Sequence, residues 1–176
     1  MNIAEIKRLD IANGPGIRTS VFVSGCTRRC EGCFNQTAWD FNYGTLYTEE
    51  TEQSILDMLS YPYVQGLSIL GGEPFESKNQ EGVSRLVQTV CRVFPDKDIW
   101  CFTGYTLDEL MSPDACTAAV RQILNRIDVL VDGPFIQSKK NLMLTYRGSE
   151  NQRLIDMEHT RQTGHIQLWK NRFSVV

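Results

Sequence analysis

The sequence has no basic excess: 18 lysines and arginines stand against 21 aspartates and glutamates, for a net charge of -3. It therefore lacks the positive face on which nucleic-acid affinity rests. No apolar run approaches the roughly 18 residues of a membrane span, and Met1-Asn2-Ile3-Ala4-Glu5 lacks the basic and apolar blocks of a secretory signal. These absences set the expectation of a cytoplasmic protein that engages neither nucleic acid nor membrane. Histidine is scarce, with only His159 and His165, and neither internal repeats nor low-complexity segments occur. Hydrophobic residues at 41% and charged residues at 22% of 176 describe a globular chain rather than a disordered one. The length suits one domain, residues 1–176, with a core of its own.

Cysteine, by contrast, is abundant and clustered. Three of the six lie in Cys26-Thr27-Arg28-Arg29-Cys30-Glu31-Gly32-Cys33, directly after the apolar run Val21-Phe22-Val23. An extended residue spans at most about 3.3–3.6 Å, so these thiols suit one centre better than three separate roles. In a reducing compartment they point to metal or redox chemistry rather than a disulfide framework. Structural zinc takes four protein ligands, and no fourth Cys or His stands at short spacing. A disulfide or reactive pair would leave one thiol idle. An iron-sulfur cubane usually takes four thiolates, so three leave one iron open to a small molecule, which is a catalytic layout. Cys91, Cys101 and Cys116 read as buried, unreactive thiols.

Around this cluster the chain alternates strands and helices. Asn13-Gly14-Pro15-Gly16 sets a tight turn into a strand from Ile17 to Val23, which brings backbone close to whatever the cysteines hold. Phe34 to Leu46 reads as a long loop. A helix follows from Thr48, and then a strand Gly66–Leu70 runs into Gly71-Gly72-Glu73-Pro74. The helix around Val83–Phe94 leads to a strand Asp98–Phe102 ending on Thr103-Gly104-Tyr105. Thr106 and Glu109 then form a capping-box signature. Another helical face, Val120 to Ile127, feeds Asp128–Val131 and the turn Asp132-Gly133-Pro134. Leu142–Tyr146 and His165–Trp169 read as further strands, with Asn151–Asp156 a polar turn or short strand. The pattern is α/β with about six mostly parallel strands. Its glycine turns gather at the strands' carboxyl ends, where such sheets hold ligands. The chain is too short for a complete barrel of about 250 residues, so a partial (β/α) barrel fits.

Cys26-x-x-x-Cys30-x-x-Cys33 resembles the cluster motif of the radical S-adenosylmethionine enzymes, and Gly71-Gly72-Glu73-Pro74 resembles their glycine-rich segment. Asn13-Gly14-Pro15-Gly16-Ile17-Arg18 is similar to the entry of the glycyl-radical-enzyme activases. Cys33-Phe34-Asn35-Gln36, Trp100-x-Phe102-Thr103-Gly104-Tyr105, Val129 to Gly133 and Arg147-Gly148-Ser149-x-Asn151-Gln152 look most like those that act on anaerobic ribonucleotide reductase. The resemblance runs from about residue 6 to about residue 156 and leaves 157–176 as an extension of unknown role.

The resemblance implies a [4Fe-4S] cluster on Cys26, Cys30 and Cys33, with S-adenosyl-L-methionine at the open iron. Glu73 would accept from the methionine ammonium, a charge-assisted bond. Gly71 and Gly72 would allow close backbone approach, and Gly32, Cys33, Phe34, Thr103 and Asp132 complete the implied cofactor-binding set. The implied protein substrate is the large subunit of anaerobic ribonucleotide reductase, on which a glycyl radical is formed, and the implied electron source is a flavodoxin-like or other low-potential donor. Gly32 stands where many members carry an aromatic residue against the adenine, so that contact must come from backbone around Gly32 to Phe34 or from elsewhere. Larger activases also carry an aspartate where this chain has Phe102-Thr103-Gly104, so Asp132 is the residue left to form part of any cation site. Arg28 and Arg29 read as solvated loop charges, and Arg147 and Asn151, unaided, as loop caps. The rivals are an activase of another glycyl radical enzyme such as pyruvate formate-lyase, and a non-catalytic zinc or electron-carrier module.

Overall fold

Short apolar runs form the central strands of one sheet and are buried on both faces in the computed structural model, which describes residues 1–170. The elements are β1 (Asn2–Asp10), β2 (Ile17–Val23), β3 (Thr45–Leu46), α1 (Glu49–Leu59), β4 (Val64–Gly71), α2 (Ser77–Val93), β5 (Asp98–Phe102), α3 (Leu107–Leu110), α4 (Ala118–Leu124), β6 (Val129–Asp132), β7 (Arg153–Asp156) and α5 (Met157–Thr163). Strand order is β3-β1-β2-β4-β5-β6-β7. The central four, β2, β4, β5 and β6, run parallel because helices carry each crossover. β1 and β3 on one side and β7 on the other pair antiparallel.

The expectation of about six mostly parallel strands is therefore corrected to a mixed sheet of seven among the described residues. β1 and β3 escaped the sequence reading. Leu142–Tyr146 forms no strand, and His165–Trp169 contributes only an isolated bridge, Leu168 to Ile155.

The two faces of the sheet differ. Ile99, Cys101 and Leu130 point into the main core beneath the helices, together with Leu86, Val87 and Val90 of α2, all fully buried. Each such side chain contributes about 1.5–3 kcal/mol of burial. Trp100, Val129 and Val131 point to the other face, where Phe102, Tyr146, Leu154 and Trp169 pack on them. Arg18 is buried on β2, held by Ser68 Oγ at 2.7 Å and by an ion pair to Asp98 at 2.5 Å.

Capping follows the sequence. The Thr48 hydroxyl accepts from the Thr51 N–H ahead of three glutamates in the first turn of α1, and Thr106 with Glu109 closes a capping box on α3. This parallel core brings the ends of β2, β4, β5 and β6 to one edge.

Candidate active site

At that edge the chain leaves β2 through Gly25, whose φ of 97° favours glycine and where a Cβ would strike the Phe41 ring. The cysteine loop that follows is fixed by protein hydrogen bonds. Gly25 N–H donates to Ala38 O at 2.8 Å, and Cys26 N–H to Trp39 O at 3.2 Å. The Thr27 N–H and hydroxyl both donate to Glu76 Oε1, at 2.7 and 2.5 Å. Gly72 N–H donates back to Val23 O and Glu73 N–H to Gly25 O. Asn79, buried on the first turn of α2, donates to Ser24 O and Glu73 O at 2.9 Å each. Thr27, Glu76 and Asn79 thus clamp the two loops together, and no motif in the sequence marks them.

The glycine pair has a packing reason as well as a ligand-facing one. A Cβ on Gly71 would lie 2.6 Å from Val23 backbone, and one on Gly72 2.6 Å from Gly25 O. Both also line a cavity of about 530 Å³, together with Cys26, Cys30, Gly32, Cys33, Phe34, Glu73 and Thr103. All but one of the residues expected at the site therefore meet in one place. Asn13 of the entry turn lines the same cavity, and its carbonyl accepts from the Ser68 hydroxyl at 2.5 Å.

Glu73 is 1% exposed. Its carboxylate accepts from Phe75 N–H at 3.0 Å, from the Thr103 hydroxyl at 2.8 Å and from Gly104 N–H at 2.8 Å. Burial still outweighs those donors and the nearby Arg28 charge, and raises its pKa to about 7. The three thiols are half-buried. Burial also raises the Cys26 pKa, against the opposing N–H groups of Arg28 and Arg29.

Asp132 is the exception. It is fully buried and does not line the cavity; its oxygens accept from Leu107 N–H at 2.8 Å and from Arg153 Nε at 2.9 Å. Gly32 has φ 73°, and a Cβ there would meet Gln137 Oε1 at 2.1 Å and the Phe135 ring at 3.4 Å. Phe135 thus supplies an aromatic wall beside Gly32, whereas the Phe34 side chain is 85% exposed at the mouth.

Arg28 is no solvated loop charge. Its guanidinium lies over the Tyr105 ring, 4.5 Å from the centroid, inside the cavity wall. Arg147 and Asn151 do cap the following loop, donating to Gln152 O and Pro134 O. Of the other cysteines, Cys101 is buried and its thiol pushed well up by burial, whereas Cys91 and Cys116 are half-buried, contrary to expectation.

The residues present suit an iron-sulfur cluster with a small-molecule ligand. Three buried N–H donors on the cavity wall, Arg28 Nε, Trp39 Nε1 and Arg147 Nε, have no protein acceptor, which is costly unless a ligand supplies one. Structural zinc takes four protein ligands, and the histidine that follows β7 does not complete a set with the three thiols. His159 follows β7 where Asp156 pairs with Val129, the end of β6 opposite the cavity.

Residues 12–155 match the family model described as a 4Fe-4S single cluster domain. A protein of Haemophilus influenzae named anaerobic ribonucleoside-triphosphate reductase-activating protein is 44% identical over 154 residues, covering 86% of this chain and 96% of its own. Proteins of the same name from Escherichia coli (strain K12), at 42% over 86% and 96%, and from Enterobacteria phage T4, at 39% over 88% and 93%, agree with it. On these matches the protein belongs to the family of anaerobic ribonucleoside-triphosphate reductase-activating proteins.

Proposed function

We propose that the chain is an activating enzyme of anaerobic ribonucleotide reductase, in which Cys26, Cys30 and Cys33 hold a [4Fe-4S] cluster and S-adenosyl-L-methionine binds between the cluster and Glu73. One observation carries the cofactor reading: a buried carboxylate and three unpartnered N–H donors face the same cavity as exactly three clustered thiols. When bound, the cluster and S-adenosylmethionine supply radical chemistry, the one-electron cleavage of the sulfonium with removal of a hydrogen atom from a glycine of the reductase.

The chain's own residues do the rest. Glu73, held by Phe75, Thr103 and Gly104, accepts from the methionine ammonium. Phe135 and the backbone from Gly32 to Phe34 form the wall for the adenine. Gly71 and Gly72 keep that wall free of side chains. Asp132 acts through Leu107 and Arg153, by fixing the turn that carries Tyr105, rather than by touching the ligand. Arg29 and Glu31, both exposed, leave the cysteine loop at the surface, where a low-potential, flavodoxin-like donor delivers the electron.

The open sheet with a ligand cavity on its less covered face is consistent with a partial barrel spanning one domain. No helix among the described residues is long and apolar enough to cross a membrane, and the acidic net charge offers nucleic acid no attraction, in keeping with a cytoplasmic site of action. The test mixes anaerobically reconstituted protein, S-adenosylmethionine, a reductant and the reductase, and records the electron paramagnetic resonance spectrum. A glycyl doublet on the reductase is expected. A doublet formed only on a different partner enzyme refutes the assignment, as does a colourless protein carrying stoichiometric zinc.

A further inference from the structure

We infer that Arg28 binds the carboxylate of S-adenosylmethionine, so that Arg28 and Glu73 together recognise the amino-acid end of the ligand as a zwitterion; this rests on the proposed function above. Arg28 sits inside the cysteine loop, and its position is fixed from three sides. Thr27, the residue before it, is tied by backbone and hydroxyl to Glu76. The guanidinium stacks over Tyr105. The aliphatic stem passes Gly104 so closely that a Cβ there would lie 2.5 Å from Arg28 Cδ.

Drawing a guanidinium into such a place without an acceptor is unfavourable. Yet among the described residues the Arg28 guanidinium makes no ion pair and no hydrogen bond, and its Nε is buried and unpartnered. Glu73 is not that acceptor: it accepts from Phe75, Thr103 and Gly104, and no hydrogen bond joins it to Arg28. What the two side chains share is Gly104 and the cavity wall. Gly104 N–H donates to Glu73 Oε2 at 2.8 Å, the Arg28 stem packs against Gly104 so closely that no side chain fits between them, and Arg28 and Glu73 both line the cavity of the three cysteines. An anion-binding fork and a cation-binding carboxylate thus meet on one wall, the complement of an α-amino acid, whose ammonium and carboxylate share one carbon. Arginine suits this task because its planar fork matches a carboxylate.

The test is a binding cycle on reconstituted protein with the cluster oxidised, so that no cleavage occurs. Titration calorimetry measures S-adenosylmethionine and its decarboxylated analogue against wild type and Arg28→Gln, with iron content confirming equal cluster loading. Arg28→Gln is expected to weaken S-adenosylmethionine by about 10- to 100-fold, the range of a hydrogen bond to a charged group. The decarboxylated analogue is expected to bind both proteins alike, and Arg28→Lys, which keeps the charge but not the fork, to fall between. Equal weakening of both ligands makes Arg28 structural and overturns the inference, as does no weakening of either; both outcomes leave the proposed function standing. A wild type that binds neither ligand overturns the proposed function and the inference with it.

Discussion

Glu73 concentrates the site's electrostatics in one group. Its carboxyl is raised from 4.5 to about 7 because burial penalises the charged form more than its three donors favour it. A carboxyl raised in this way contributes stability that is fully present below its unfolded value and lost as pH rises through the folded one. Unfolding titrations on the ligand-free protein are therefore expected to show stability falling by about 3 kcal/mol between pH 4.5 and 7 relative to Glu73→Gln. A bound ammonium favours the ionised form, so S-adenosylmethionine is expected to bind more tightly as pH rises through 7 and to release a proton. Calorimetry in buffers of different ionisation enthalpy reads that proton, and its absence would detach Glu73 from the ammonium. The cysteines divide as sharply. Cys30→Ala is expected to lose iron and S-adenosylmethionine cleavage, whereas Cys91→Ala, on α2 against the edge of the core, keeps both; equal loss would show the division to be wrong. Spacing marked Cys26, Cys30 and Cys33 as one set, and the family resemblance marked Glu73; the structure brings all four to one cavity. Arg28 was illegible, since a charge in a loop reads as solvated until Tyr105 and Gly104 are seen beside it.

Among the elements, the parallel strands were legible and the outer ones were not. β2, β4, β5 and β6 end on glycine turns and alternate with amphipathic helices, which is a long-range rhythm. β1 breaks its own alternation through register shifts between Ile3 and Glu5 and between Lys7 and Asp10, so Ile3, Ile6 and Leu9 fall at a spacing foreign to a strand. α5 buries only Met157 and is set by the Asp156 cap and by Gly164 at φ 71°, signals too short to stand out. Helix α2 does more than cover the sheet, since its first turn carries Asn79 between the two loops of the site. Asn79→Ala would leave the Ser24 carbonyl buried without its donor, at a cost of about 1–3 kcal/mol. At this chain length each kcal/mol lowers Tm by about 2–4 °C. Thermal unfolding together with iron content is expected to show both falling; an unchanged Tm would mean the loops are held elsewhere.

Across the whole molecule, apolar surface is distributed unevenly. Leu142 and Met143 are 87% and 90% exposed, and Leu142 stands with Phe34 at the cavity. The run Leu142–Tyr146 reads as a strand because apolar residues usually mean a core, yet Leu142 and Met143 face outward beside the cavity, where a partner's glycine would have to reach, while Tyr146 packs on Trp100. Leu142→Asp with Met143→Asp is expected to cut glycyl-radical formation on the reductase at least tenfold, by analogy with the loss of a central interface contact. Uncoupled cleavage of S-adenosylmethionine should stay at the wild-type rate. Parallel loss of both activities would place these residues in the ligand site instead. The clamp of Thr27, Glu76 and Asn79 has a consequence for the protein's lifetime. Because hydrogen bonds to Ala38, Trp39 and Glu76 also hold the cysteine loop, protein that has lost its iron to air is expected to keep a folded receptacle. Damage by oxygen would then be an injury repaired by delivering iron and sulfide, without making the chain anew.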